Sequence, residues 1–193
     1  MENTIEKAGD LQATPHPLGK KPDWLKVRYN QEATEEVAAL MKDLRLNTVC
    51  KEANCPNMGE CYRKHTATFM ILGSVCTRNC RFCNVTCGRP EAVDEEEPMN
   101  VAKAAKQLRL KHVVLTCSTR DDLEDGGALQ FAKTIRAIRE FCPGTTIEAL
   151  ISDMKGRTES LDIVLEAKPE VLNHNVETVK ELQKVKSLKS TSK

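Results

Sequence analysis

Short apolar runs alternate with amphipathic stretches along the chain from residue 66 onwards. The apolar runs predict four buried strands, at 66–74, 112–117, 145–152 and 169–175. The amphipathic stretches have apolar residues at helical spacing and predict helices, at 97–110, 126–142, 158–167 and 176–188. Because strands and helices alternate through short loops, we expect βα units that form a parallel sheet.

Four strands are too few to close a barrel. The pattern therefore predicts an α/β fold with an open parallel sheet or a partial (β/α) TIM-type barrel, open on its C-terminal side, and in either case the last strand is an exposed edge. In such sheets the chemistry lies at the carboxyl ends of the strands. The segments rich in polar or sulfur-containing residues all follow predicted strands, at 76–83, 118–122, 152–153 and 173–175.

The chain before residue 66 has a different character. Residues 1–20 are polar, carry two prolines, and predict a flexible arm. A helix is predicted at 33–47 from its apolar spacing and its acidic first turn. The stretch 49–64 is cysteine-rich and irregular.

The N-terminal extension is expected to lie against the body of the fold through Trp24 and Leu25, in the segment 21–28. These patterns divide the chain into a flexible arm, a cysteine-rich N-terminal extension, a partial barrel and a tail, at 1–20, 21–65, 66–188 and 189–193.

Composition excludes several classes of protein. The 193 residues are 40% hydrophobic and 30% charged, as expected for one globular domain. A net charge of +1 gives no strong attraction to nucleic acid or to an acidic membrane, so neither is expected as a partner. No stretch approaches the roughly 18 apolar residues of a membrane span, and the first ten residues do not resemble a targeting signal. We therefore expect a cytoplasmic protein.

Nine cysteines are many for a reducing compartment, and seven of them lie between Cys50 and Cys87. Disulfides are rare there, so this clustering indicates a metal site or catalysis. The two cysteines outside the cluster, Cys117 and Cys142, are expected to be small buried hydrophobic residues.

Three cysteines, Cys76, Cys80 and Cys83, follow the first predicted strand with the spacing C-x3-C-x2-C. Zinc ribbons use two separated C-x2-C pairs, which this chain lacks. Three closely spaced thiolates can instead bind one 4Fe–4S cluster and leave its fourth iron without a protein ligand. Catalytic metals keep such an open position.

Cys87 leaves an alternative open. It is a fourth thiol near the loop, somewhat as in a bacterial ferredoxin. If Cys87 completed the cluster, the protein would be an electron carrier. A ferredoxin, however, has two residues between its first cysteines, whereas Cys76 and Cys80 are separated by three.

With Phe82 in the aromatic position before its third cysteine, the motif resembles that of the radical S-adenosylmethionine (SAM) superfamily. The resemblance implies that SAM chelates the open iron through its methionine end. An electron from the cluster then cleaves the sulfonium and yields a 5′-deoxyadenosyl radical. SAM thereby carries the hard step of attacking an unactivated C–H bond.

A second set, Cys50, Cys55 and Cys61, precedes this motif with the spacing C-x4-C-x5-C. Three structural cysteines by chance is the plain alternative. Both sets together resemble the lipoyl synthase family, over about residues 20 to 180. The resemblance implies two 4Fe–4S clusters, one that binds SAM and an auxiliary one that is consumed as the sulfur source. Two sulfurs would be inserted at C6 and C8 of an octanoyl chain on a carrier lysine.

The same resemblance places further residues near SAM. These candidates are Phe82, Arg120, Asp122, Asn173, Asn175 and Glu177. For the acidic segment 120–125 the alternative is an ordinary helix start, which the helix dipole favours. His174 is expected to face away as a core histidine, and the acidic run 94–97 to be a solvated loop.

The implied partners are octanoylated lipoyl-carrier domains or the glycine cleavage H protein, and an electron donor such as ferredoxin or flavodoxin. The match fades after about residue 180, and neither Ser190 nor Ser192 fits the family's C-terminal Arg-Ser-Ser-Tyr segment. We therefore expect a truncated lipoyl synthase of weak stability, able to pair through its exposed edge. The alternative is an inactive fragment that binds iron–sulfur clusters without turnover.

Overall fold

The computed structural model describes residues 31–52, 55, 57–63, 66–80, 82–177 and 179. Strands and helices alternate through most of this part, as the hydrophobic pattern predicts. In chain order its elements are α1 (Gln31–Asp43), β1 (Asn47–Thr48), α2 (Val49–Glu52), α3 (Met58–Arg63), β2 (Thr66–Ile71), β3 (Val75–Cys76), β4 (Thr86–Cys87), α4 (Glu97–Gln107), β5 (His112–Cys117), α5 (Ala128–Phe141), β6 (Thr146–Leu150), a 3₁₀ turn (Met154–Gly156), α6 (Thr158–Glu166) and β7 (Val171–Asn173).

The main sheet has five strands in the order β1-β2-β5-β6-β7. β2, β5, β6 and β7 are parallel and correspond to the four predicted strands. Their carboxyl ends therefore meet at one edge of the sheet. Within the described residues the sheet does not close, which confirms the predicted partial barrel.

β1 was not predicted. It pairs antiparallel with β2, Asn47 opposite Met70 and Thr48 opposite Phe69. Two residues are too few to show a hydrophobic period, so the sequence pattern carries no signal for this strand. Its pairing covers the side of β2 that would otherwise be an open sheet edge.

Several predicted boundaries were wrong in the N-terminal extension. The predicted helix 33–47 ends at Asp43, because Arg45 takes a positive φ of 53° and the amide of Leu46 turns back to the carbonyl of Met41 at 2.8 Å. The stretch 49–64 is not wholly irregular, since it contains the short helices α2 and α3. The arm 1–20, the segment 21–28 with its two anchors, and nearly all of the predicted helix 176–188 lie outside the described residues. The predicted domain boundaries stay a prediction.

The core lies between the sheet and helices α4, α5 and α6. The strands contribute Phe69, Leu115 and Ile147, and the helices contribute Phe131 and Ile135, all with no exposed surface. Burial of each such side chain stabilises the fold by about 1.5–3 kcal/mol. The buried thiol of Cys142 also packs here, as predicted, with its Sγ 3.6 Å from the carbonyl of Ala102.

Among the described residues, no strand pairs with the outer side of β7 at the opposite end of the sheet. All three residues of β7 are exposed, and Val171 and Leu172 keep 43% and 39% of their surface. This confirms the predicted exposed edge. Across the described ranges, the structure has no helix both long and apolar enough to cross a lipid bilayer.

Candidate functional site

A cleft of about 180 Å³ lies at the carboxyl ends of β5, β6 and β7. One wall is the loop between β3 and β4, and the other is formed by residues that follow the parallel strands. Three of its lining residues are the predicted cluster ligands Cys76, Cys80 and Cys83, and Phe82 lies beside them. The structure thus brings the C-x3-C-x2-C motif to the end of the sheet where we expected the chemistry.

Local pairing shapes this cysteine loop, residues 76–83. β3 and β4 run parallel, with Cys76 opposite Cys87, and the amide of Gly88 donates to the carbonyl of Cys76 at 3.0 Å. The residues between the two strands therefore form a loop whose two ends are paired with each other. The amide of Cys83 donates to the carbonyl of Cys80 at 3.0 Å, which forms a tight turn between the last two cysteines.

The three thiols differ in burial. Cys76 is buried, Cys80 is partly buried and Cys83 is exposed. The backbone amide of Arg78 points at the Sγ of Cys76 from 3.4 Å. An amide donor of this kind stabilises a thiolate, the form in which cysteine binds metal.

This donor set fits a 4Fe–4S cluster better than it fits zinc. In the part of the chain that the structure describes, no three His, Cys, Asp or Glu side chains converge closely enough to bind one metal ion. Structural zinc requires such convergence, with four ligands on one ion. An iron–sulfur cluster bonds each thiolate through a different iron, so its ligands stand apart around the cluster. Three cysteines spread along one cleft match the second requirement.

Cys87 is exposed and does not line the cleft. Its strand pairs with that of Cys76, so its backbone is adjacent to the cysteine loop. This arrangement gives no support to Cys87 as a fourth ligand and leaves that alternative to experiment.

Arg78, which the sequence pattern did not single out, makes four side-chain hydrogen bonds in the cleft. Its guanidinium binds the Asp121 carboxylate at 2.7 and 2.8 Å and the Asp153 carboxylate at 2.7 and 2.8 Å. Hydrogen bonds to Asp121 and then Asp153 raise the pKa of Arg78 above its usual range. The sequence did contain a signal for this residue. Arg78 lies between two candidate ligands, and its loop faces the ends of two strands that are each followed by an aspartate.

The structure does not bring Arg120 and Asp122 to the cleft. Arg120 is 3% exposed, and it donates to Asp122 at 2.8 Å and to the carbonyls of Leu72 and Glu91 at 3.3 and 3.0 Å. The hydrogen bond from Arg120 lowers the pKa of Asp122. These two side chains hold the backbone at the start of the cysteine loop, and a contact with SAM stays a prediction.

The candidate residues at the end of β7 and after it divide between two locations. Asn175 and Glu177 line the cleft, whereas Asn173 donates to Glu148 of β6 at 3.1 Å. The prediction of a core position for His174 was wrong: this side chain is exposed, lines the cleft, and has its Nδ1 2.9 Å from the carbonyl of Ile151. β7 ends at Asn173, so the strand alternation assumed for His174 does not reach it.

Two further expectations needed correction. Cys117 is only partly enclosed and lines the cleft, where burial raises the pKa of its thiol to about 12. It is therefore protonated at neutral pH. Glu97 is not solvated but 6% exposed, because α4 begins at this residue and its carboxylate accepts the amide of Leu72 at 3.0 Å.

The second cysteine set lies on the N-terminal extension, outside the cleft. Cys50 is buried in α2, while Cys55 and Cys61 are partly buried. The amide of Cys55 donates to the carbonyl of Cys50 at 2.9 Å. The side-chain amide of Asn84 reaches the carbonyl of Glu52 at 3.2 Å and so links this segment to the loop that carries the first set.

A larger cavity of about 730 Å³ lies near the N-termini of α5 and α6. It contains no cysteine and has Leu72, Leu123 and Ile163 among its apolar lining. Size alone would favour it as the site, but the chemistry of the lining residues favours the smaller cleft.

Comparison with known proteins agrees with this choice. A family model described as the radical SAM superfamily matches residues 70–192. A lipoyl synthase from Caldanaerobacter subterraneus subsp. tengcongensis is 57% identical over 163 residues, which are 84% of this chain and 57% of that protein. A lipoyl synthase from Caldicellulosiruptor saccharolyticus is 55% identical over 164 residues, with 84% and 58% covered.

The chain thus spans somewhat less than three fifths of the length of these curated relatives, 57% and 58%. The matched region of the family model includes the cysteine loop, the parallel strands β5, β6 and β7, and the cleft. This confirms the resemblance inferred from the cysteine motif: the chain belongs to the radical SAM superfamily and is similar to lipoyl synthases.

Proposed function

We propose that this chain carries the SAM-binding part of a lipoyl synthase, with Cys76, Cys80 and Cys83 as the ligands of a 4Fe–4S cluster. The observation that carries the proposal is that these three cysteines line one cleft at the carboxyl ends of the parallel strands. Sequence spacing and the names of the two relatives support the same reading.

The side chains around the cleft would bind and orient SAM. Asn175 and Glu177 offer polar groups at the far wall, and Ser118 and Ser152 offer hydroxyls at the ends of β5 and β6. Phe82, 51% exposed, provides an apolar surface beside the cysteines. When bound, cluster and SAM supply a radical able to abstract hydrogen from an unactivated carbon, which no side chain can do by acid–base chemistry.

The proposed auxiliary cluster would be held by Cys50, Cys55 and Cys61. Its site would lie near the cleft, since Asn84 joins the loop of the first set to the backbone of α2. Such proximity is required if a sulfide of this cluster is to reach a carbon radical formed in the cleft.

The proposed substrate is an octanoyl chain amide-linked to a lysine of a lipoyl-carrier domain or of the glycine cleavage H protein. Sulfurs at C6 and C8 would replace two C–H bonds, with one SAM consumed for each. Ferredoxin or flavodoxin would supply electrons, and a cytoplasmic location is consistent with both donors.

The test is a single-turnover assay of the chain under strict anaerobiosis. Reconstituted protein, SAM and a reductant are mixed with an octanoyl-lysyl peptide, and the peptide mass and the paramagnetic resonance spectrum of the reduced cluster are recorded. We expect a gain of two sulfurs and a spectral change on adding SAM. We expect Cys76→Ala to abolish both and the matched variants Cys87→Ala and Cys142→Ala to retain both.

The possible failures are distinguishable. SAM cleavage with an unchanged peptide would contradict lipoyl synthase activity and leave the chain a cluster-binding protein without turnover on this substrate. No response of the spectrum to SAM, together with its loss in Cys87→Ala, would favour an electron carrier with four thiolate ligands.

A further inference from the structure

We infer that Arg78 is a positioning residue for the cluster: by binding Asp121 and Asp153 together, it holds its own backbone amide on the Sγ of Cys76. The inference rests on the proposed function, since it requires Cys76 to be a cluster ligand. It adds a residue that is neither a thiolate ligand nor one of the predicted SAM contacts.

The first support is the geometry of the guanidinium. Four hydrogen bonds of 2.7–2.8 Å join it to the two carboxylates, and the side chain is only 8% exposed. Asp121 follows β5 and Asp153 follows β6. A residue of the cysteine loop is therefore fixed to the ends of two core strands. We call Arg78, Asp121 and Asp153 the arginine clamp.

The second support is the neighbouring residue. The amide and the hydroxyl of Thr77 donate to the carbonyl of Thr119 at 3.0 and 2.9 Å, and the Thr77 hydroxyl accepts the amide of Asp121 at 3.0 Å. Both residues that follow Cys76 are thus attached to the segment after β5. Little freedom remains for the peptide whose N–H points at the Cys76 sulfur at 3.4 Å.

Only arginine suits the clamp. A planar guanidinium can bind two carboxylates in parallel pairs, whereas lysine offers a single ammonium without that fork. Asp121 and Asp153 are 12% and 31% exposed, so each is partly shielded from water. A second described cation, Lys155, is also in contact, with its Nζ 2.9 Å from the carbonyl of Asp121 and 4.0 Å from its carboxylate. It lies outside the loop and cannot replace the backbone restraint.

The consequence concerns the cluster's reduction potential. Amide donors to ligand sulfurs stabilise the reduced state, because it carries more negative charge, and so raise the potential. If the clamp keeps the Arg78 amide in place, breaking the clamp lowers the reduction potential of the cluster even when no charge is changed. A clamp that acted only through its charge would leave the reduction potential unchanged in a charge-conserving variant and shift it in a charge-changing one.

The experiment compares Arg78→Lys, which keeps the charge, with Asp153→Asn, which removes a negative charge. Each protein is reconstituted anaerobically, its iron and sulfide are counted, and its midpoint potential is titrated without SAM. We expect both variants to shift to a more negative potential and to lose iron to a chelator about tenfold faster. Lys155→Gln, which removes a positive charge beside Asp121 and leaves the guanidinium of Arg78 in place, controls for the change of charge.

Each outcome is decisive. An unchanged potential in Arg78→Lys, or a positive shift in Asp153→Asn, means that charge and not position governs the site, and the inference is wrong. If Arg78→Lys does not fold, as judged by its circular dichroism, the sign of the shift in Asp153→Asn decides. If the unaltered chain binds no cluster at Cys76, Cys80 and Cys83, the proposed function fails first and the inference falls with it.

Discussion

At the scale of single residues, the buried carboxylate of Glu97 governs the backbone that leads into the cysteine loop. Its two oxygens accept the amide of Leu72, both at 3.0 Å, and Oε2 also accepts the side-chain amide of Gln130 at 2.9 Å. Leu72 and Gly73 have positive φ values of 68° and 84°, so this turn depends on outside hydrogen bonds to keep its shape. Burial outweighs these bonds and raises the pKa of Glu97.

This raised pKa predicts a pH dependence of stability. Because the folded-state pKa lies above the usual value of 4.5, the native state holds its proton more tightly than the unfolded state over the window between them. Stability contributed by this group is therefore present below pH 4.5 and declines as the pH rises through the folded pKa. In Glu97→Gln that decline is absent.

We expect the free energy of unfolding of Glu97→Gln, relative to that of the unaltered chain, to increase between pH 4.5 and neutral pH. Urea denaturation at a series of pH values measures this difference. Asp162→Asn, which removes an exposed acid on α6, controls for the loss of one charge. Parallel pH profiles for Glu97→Gln and the unaltered chain would show that the raised pKa is wrong.

Single residues also show how far the sequence alone can go. Cys76, Cys80, Cys83 and Phe82 could be singled out because their spacing is visible along the chain, and the structure places all four at one cleft. The clamp could not be found in this way. Arg78 and Asp153 are 75 positions apart, and only the parallel order of β5 and β6 brings that aspartate to the cysteine loop.

At the scale of elements, the start of α5 packs closely against Leu72, the residue that follows β2. Gly127 precedes α5 with a φ of 93°, and a Cβ added there would lie 2.2 Å from Cδ1 of Leu72. A side chain at this position must therefore displace Leu72. Since Leu72 belongs to the turn that leads into the cysteine loop, the disturbance would reach the cleft.

Gly127→Ala is expected to destabilise the fold by about 1–3 kcal/mol from the clash, in addition to its backbone strain. Gly144→Ala is the matched control, because Gly144 has a similar φ of 90° but no atom within 4 Å of an added Cβ. It should show the strain alone, about 1–2 kcal/mol. Thermal unfolding of both variants measures the difference, and equal losses would mean that Leu72 moves aside without cost.

Element types followed from the sequence more readily than element ends. The short apolar runs predicted β2, β5, β6 and β7 correctly, and all four strands lie in the main sheet. The short elements β1, α2 and α3 are set by tertiary contacts and local hydrogen bonds, for example the pairing of Thr48 with Phe69. A helical period is not visible over the four and six residues of α2 and α3, nor a strand alternation over the two residues of β1, so these parts needed the structure.

At the scale of the whole molecule, the two ends of the sheet differ. β1 covers the side of β2, whereas β7 has no neighbour on its outer side in the described part of the chain. Val171 and Leu172 are both exposed there, next to the cleft residues Asn175 and Glu177. An apolar strand with unpaired backbone groups is a template for pairing with another chain.

We therefore expect this chain to self-associate as its concentration rises, and Leu172→Lys to weaken that association, because a charged side chain on an edge strand opposes pairing. Sedimentation velocity over a concentration series measures the effect. Leu129→Lys places the same charge at a 50% exposed leucine on helix α5, away from the edge, and should leave the association unchanged. If instead Leu129→Lys abolishes association and Leu172→Lys does not, the molecules meet through the helical face and the sheet edge is covered in solution.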